Sequence, residues 1–152
     1  LFTGAAENPF TIMGWFRIDS FGGGYTYFFY KSGTSAVNYG VVLGQSSETS
    51  PSFGAHMSQQ GVGSTAIGVG KLAPVPELGT WYHVAMVYST DKKVTLYVDG
   101  VSQGTSDSSY TGSTATGTSN SFYFGAFNGA MSDLKIFNTA KTQAEIQTLM
   151  NQ

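Results

Sequence analysis

The sequence has no cysteine, one arginine and no apolar run long enough to cross a bilayer, and each lack removes a class of protein. Without cysteine there is no disulfide framework and no thiolate metal site, so the fold must be held by its core. Charged residues are only 11% of the chain, against roughly 25% in ordinary soluble domains. A formal net charge of -2, with Arg17 and a few scattered lysines, provides no basic stripe to neutralise phosphates, which argues against nucleic acid as a partner. No stretch approaches the roughly 20 apolar residues of a membrane span, and no charged segment leads into an apolar one at the start, so no membrane insertion is expected. The chain also lacks an Asn-x-Ser/Thr sequon, so nothing marks a glycosylated ectodomain.

What remains is neutral and β-forming. The 152 residues suit one domain, expected to span 1–152. Apolar residues at 41% and aromatics at 14% are ample for a core, while Ser, Thr and 20 glycines favour pleated strands and tight connections. Phe10 to Asp19 alternates with bulky residues on both faces, which predicts a strand buried on two sides. Gly22-Gly23-Gly24 reads as a turn before an aromatic strand, Tyr25 to Lys31; neither a helix nor a Lys-Ser/Thr pair directly follows the glycines, as a phosphate cradle would need. Further strands are expected at Tyr39–Gln45, Ser52–Ser58 and Ala66–Val69. Trp81 to Ser89, a turn at Asp91-Lys92-Lys93, Val94 to Val98, and the Asp99-Gly100 turn predict a three-stranded antiparallel meander, since Asp-Gly tolerates the positive φ of a two-residue hairpin. Gly104 to Ser121 is a long polar loop. Phe122–Ala126 and Met131–Phe137 complete the strands, with Phe127-Asn128-Gly129 between them. Thr142-Gln143-Ala144-Glu145 is a capping box that opens a short helix with Ile146, Leu149 and Met150 on one side.

The order of these segments resembles the laminin-G-like, concanavalin A-like family over roughly Phe10 to Leu149. The likeness rests on FTIMGWFRID (Phe10 to Asp19), NYGVVLGQ (Asn38 to Gln45), GTWYHVAMVYSTDKKVTLYVDGV (Gly79 to Val101) and GAMSDLKIFNTAKTQAEIQTL (Gly129 to Leu149). It implies an all-β, two-sheet antiparallel jelly-roll sandwich with one short C-terminal helix packed on an edge. The family often carries Ile-Asp just after the glycine equivalent to Gly129, where this chain has Met131-Ser132 before Asp133. The N-terminal strand is reduced to Leu1-Phe2-Thr3, from which we expect a piece of a longer chain or larger assembly.

Glucanases of this fold need two carboxylates about 5 Å apart on one strand face, and the dispersed Glu7, Glu48, Glu77 and Glu145 show no such spacing. His83 has no glycine-flanked serine that would make it part of a triad, and His56 has no partner at metal spacing; His83 reads as a packed or surface strand residue. Relatives of the fold hold Ca²⁺ at one rim, and Asp19, Asp107 and Asp133 are the candidate ligands that the resemblance implies. Sugar rings stack on exposed aromatic faces while amides and hydroxyls bond their oxygens, so Tyr25, Tyr39, Tyr110, Phe127 and Asn128, in or beside loops, are the candidate ligand contacts. The expected function is non-catalytic recognition of a glycan or a surface protein, on an extracellular, cell-surface or virion-surface molecule. The competing expectation is a structural decoration or fibre domain that packs against neighbouring copies; a glycoside hydrolase ranks third.

Overall fold

A computed structural model describes residues 8–21, 26–32, 39–47, 50–57, 67–72, 76–107, 109 and 121–152; for 26, 31–32, 39–47, 50–51, 67–72, 121–122 and 126 the description is of the backbone. The expected strand Leu1-Phe2-Thr3, the Gly22–Gly24 turn and most of the Gly104–Ser121 loop lie outside these residues.

Ten strands and one helix follow in chain order: β1 (Phe10–Ser20), β2 (Thr26–Ser32), β3 (Tyr39–Ser47), β4 (Ser50–Met57), β5 (Ile67–Leu72), β6 (Trp81–Tyr88), β7 (Val94–Val98), β8 (Val101–Thr105), β9 (Ser121–Ala126), β10 (Asn128–Phe137) and α1 (Gln143–Leu149). They form two five-stranded antiparallel sheets, here called A (β10-β1-β6-β7-β8) and B (β5-β4-β3-β2-β9). The expected meander is β6-β7-β8. Its second turn has positive φ at both Asp99 (50°) and Gly100 (73°), the geometry a two-residue hairpin requires. Asp99 also holds the turn to β6: its N–H donates to the His83 carbonyl, and its carboxylate accepts from the His83 N–H at 2.9 Å.

One core lies between the sheets. Phe10, Ile12, Phe16 and Ile18 of β1 and Val84, Met86 and Tyr88 of β6 face Phe28, Phe29, Phe53, Ala55 and Met57 of sheet B. Phe16 stacks on Phe28 at 4.3 Å. The second face of β1 is buried too, as its bulky residues imply: Met13 joins Ala85, Val87 and Ile146 in a smaller cluster closed by Tyr97, Phe137, Leu149 and Met150.

This second cluster corrects one expectation. The helix is packed on the outer face of sheet A, not on an edge, because Met13, Ala85 and Val87 point away from the main core and need a cover. The capping box forms as predicted: Glu145 N–H donates to the Thr142 hydroxyl, and Thr142 N–H to the Glu145 carboxylate at 2.8 Å. The Thr142 N–H, and the Thr142 hydroxyl donating to the same carboxylate at 2.9 Å, hold the Glu145 carboxyl below its usual range. Gln147 reaches the Gly100 carbonyl at 3.1 Å, where a Cβ on Gly100 would lie 2.8 Å from the Gln147 side chain. A second correction concerns Asn128 and Gly129, which belong to β10, leaving Phe127 alone as the connector from β9. Gly129 is required there, since a Cβ would fall 1.9 Å from the Arg17 carbonyl.

Candidate binding face

Each sheet has one outer face, and the sequence treats the two differently. On sheet A, α1 covers one end. Trp15 Nε1 donates to the Met150 carbonyl at 3.2 Å and Lys135 Nζ to the Leu149 carbonyl at 2.8 Å, tying the end of the helix to β1 and β10. His83 lies in this layer, 1% exposed, edge-on to Trp15 at 5.4 Å, and its Nδ1 has no hydrogen-bond partner among the described residues. Burial, with help from the Lys135 charge and against that of Asp133, lowers its pKa from 6.5 to about 4. Of the packed or surface position expected for this strand histidine, the structure has the packed one. At the other end of the face, Arg17 forms a two-pronged ion pair with Asp19 at 2.7 and 3.0 Å and lies over the Trp81 ring. The hydrogen bond holds the Asp19 carboxyl below its ordinary range.

Sheet B is built otherwise. Its strands contain no acidic residue, and no described helix or strand covers its outer face. A register shift after Tyr27 puts an extra residue into β2, so Phe28 and Phe29 both enter the core, while Tyr27 and Tyr30 share the outer face with rings 5.1 Å apart. The neighbouring β9 bends beside it at Gly125, φ 71°. Tyr123 stacks flat on Tyr30, with centroids 4.5 Å apart and planes 7° from parallel, and is 44% exposed.

The register extends this aromatic corner across the sheet. Tyr123, Tyr30, Val42, His56 and Gly68 are successive partners on β9, β2, β3, β4 and β5. The adjacent row is Ala126, Tyr27, Gly44, Gly54 and Gly70. Three glycines in line on three strands remove every Cβ from that part of the second row. Glycine inside a strand weakens it and often marks a bulge, a tight bend or a close approach by a ligand or another backbone. At about 4.8 Å per strand the lane from β9 to β5 is about 19 Å long. Burial lowers the His56 pKa below 6.5, so the imidazole is neutral at neutral pH.

The residues expected from sequence are dispersed. Tyr25 and Tyr110 lie outside the described residues, and Tyr39 opens β3, described there by backbone alone. Phe127 turns inward, edge-on to Phe16 and Phe28 at 6.3 and 5.2 Å, closing the core. Asn128 is exposed and donates to the Ser20 hydroxyl. The aspartates do not converge. Asp19 is paired with Arg17; Asp133 is paired with Lys135 at 2.6 Å and lies beside Gly14, five residues and about 16 Å along β1 from Asp19. Asp107 follows β8 at the opposite edge of the sheet. No group of three or more metal-ligating side chains occurs among the described residues. Sequence reasoning missed Tyr27, Tyr30 and Tyr123 because it sought aromatics in loops. The FFY run and the glycines at alternate positions of GVG (Gly68–Gly70) were the available signals.

The fold is shared with known proteins at low identity. A native heptameric SAP-like pentraxin from Limulus polyphemus superposes with a TM-score of 0.67 at 17% identity, covering 97% of this chain and 71% of that one. Domain 4 of AbnA, a GH43 extracellular arabinanase from Geobacillus stearothermophilus, solved with arabinotriose, gives 0.68 at 18%, covering 98% and 68%. The binding domain of botulinum neurotoxin DC, in complex with SialylT, gives 0.65 at 14%, covering 95% of this chain and 35% of that one. No curated protein matches by sequence. The profile of the concanavalin A-like lectin/glucanases superfamily, in its laminin-G form, matches residues 3–147, and the chain belongs to that family.

Proposed function

We propose that the protein is a non-catalytic glycan-recognition module whose ligand lies on the outer face of sheet B, carried on a secreted, cell-surface or virion-surface protein. The observation that carries this reading is the flat Tyr30–Tyr123 stack, open to solvent at Tyr123 and continuous with the glycine row. An exposed aromatic face attracts the C–H face of a sugar ring, and the phenol hydroxyls supply hydrogen bonds at its rim. Carbohydrate-bound relatives of the same fold support it. The placement of the described acids supports the absence of catalysis: the strands of sheet B have none, and Asp19, Asp99, Asp133 and Glu145 are each held by a hydrogen bond on the other side of the molecule.

A broad glycan array, run with Ca²⁺ and with chelator, tests the reading. Binding of at least one oligosaccharide class is expected, lost in Tyr123→Ala, with no new reducing ends released on incubation. An array with no specific binder, or ligand hydrolysis by purified protein, would refute it.

A further inference from the structure

The two ends of α1 are fastened to sheet A by different chemistry. Ahead of the helix, the buried Thr11 hydroxyl donates to the Thr139 carbonyl and accepts from the Lys141 N–H, both at 2.9 Å. Neither bond involves a group that titrates in mild acid. At the far end, the Leu149 carbonyl accepts from Lys135 Nζ, the Met150 carbonyl accepts from Trp15 Nε1, and Gln147 Nε2 donates to the Gly100 carbonyl. His83 stands among these contacts. Its register row runs from Ser132 on β10 through Trp15 on β1 to β6, and beyond it the Asp99 N–H donates to the His83 carbonyl. The Trp15 fastening therefore lies on one side of His83 and the Asp99-Gly100 turn on the other. Two residues along the same face of β6, Ala85 packs in one cluster with Ile146 of the helix.

A neutral imidazole suits this place and a charged one does not. His83 is buried, edge-on to Trp15, and its Nδ1 meets no hydrogen-bond partner among the described residues. In an imidazolium both ring nitrogens carry N–H groups that need acceptors, and a buried cation without them is costly. The charged groups of the surrounding elements give no remedy. On β10, Lys135 repels a second cation, and Asp133 is paired with Lys135. At the β7–β8 turn, the Asp99 carboxylate is bonded to the main-chain N–H of His83. On β1, Arg17 and Asp19 pair with each other, and ahead of and within α1 so do Lys141 and Glu145.

We infer that His83 is an acid-operated release for α1: on taking up a proton it drives the end of the helix off sheet A, the segment pivoting on the Thr11 bonds and baring Met13, Ala85 and Val87 while the two sheets stay joined. The release is independent of the sugar-binding reading, which concerns sheet B. With the helix docked, burial first and the Lys135 charge second lower the His83 pKa from 6.5 to about 4; with the helix released, the imidazole regains its ordinary value. Docking is at full strength above pH 6.5, weakens as pH falls towards 4, and from this group changes no further below that. The ratio of docked to released helix changes by on the order of 100-fold across this range.

The absence of cysteine makes the release readable by thiol labelling. Single cysteines replace Ala85, under the helix, or Ala55, between the sheets, both fully buried. Each is labelled from pH 7 to 4 with a dipyridyl disulfide, which reacts in acid, and each rate is divided by that of the same chain unfolded in urea at the same pH. The Ala85→Cys ratio is expected to rise on the order of 100-fold, and at pH 4 to exceed the Ala55→Cys ratio at least about tenfold. His83→Gln in the Ala85→Cys chain, which keeps His56, should cut the rise to less than about threefold. Trp15→Phe keeps a ring and removes the Nε1 donor, so it should speed labelling at pH 7 and leave the acid rise in place. Circular dichroism establishes that each variant is folded. Equal ratios at the two cysteines mean that acid opens the whole sandwich, which overturns the release. A rise that survives His83→Gln assigns the acid response to another group and overturns it as well.

Discussion

The outer face of sheet A is covered at one end by a helix and carries ion pairs at its edges; on sheet B, tyrosines stand beside a row of glycines. Both sheets have five strands and bury their inner faces in one core, so core formation does not explain the contrast. On sheet A the chain places Met13, Ala85 and Val87 outward and then supplies a capped helix to cover them. On sheet B three paired glycines contribute no packing, and tyrosines take the outward places beside them. A surface that gives up side-chain contacts at Gly44, Gly54 and Gly70 gives up stability, since glycine weakens a strand interior. Sheet A is therefore the face of stability, and sheet B the face on which we propose recognition.

That division is open to measurement, first through acid. His83 has a folded pKa of about 4, below its ordinary 6.5. The unfolded chain therefore binds the proton more readily between these values. Stability is full above pH 6.5, falls as pH drops towards 4, and from this group loses no more below that. At 1.36 kcal/mol per unit the loss is on the order of 3 kcal/mol. Urea unfolding from pH 7 to 4 measures it, and His83→Leu should flatten the slope; an unchanged slope would place the acid sensitivity elsewhere.

Next is Ile146→Ala, which empties the fully buried anchor of α1. A cost of about 3 kcal/mol is expected from the lost methyl groups and the cavity. Sugar affinity should stay at the wild-type value, and a parallel drop in affinity would show that the faces are coupled. Thr142→Ala removes the cap and should cost about 1 kcal/mol, visible as a lower urea midpoint with an unchanged m-value. The smallest stability effect is expected for Tyr123→Ala: its ring is nearly half exposed on an outer strand, so surface substitution predicts about 0.5 kcal/mol or less. This same variant should abolish detectable glycan binding. A large stability loss there would make the tyrosine stack structural and break the comparison.

The elements that depend on neighbours in sequence were legible. Alternation located β1 and β6, Asp99-Gly100 located the hairpin, and Thr142 with Glu145 located the start of α1, because each signal is complete within a few residues. The candidate site was not legible in the same way. Tyr25, Tyr39, Tyr110, Phe127 and Asn128 were chosen for proximity to loops, yet Phe127 is spent on the rings of Phe16 and Phe28. Tyr27 and Tyr30 read as opposite-facing by simple alternation; the extra residue in β2 puts them together. Gly44, Gly54 and Gly70 are unremarkable singly and form a row only when β3, β4 and β5 pair in one register.

The sequence by itself determined an all-β sandwich with its meander, turns and helix cap, since hydrophobic period, turn chemistry and capping act over a few bonds. Only the tertiary structure decided which sheet the helix covers, which tyrosines meet, and that the glycines line up. Those outcomes depend on strand register and inter-sheet packing, which join residues far apart in the chain.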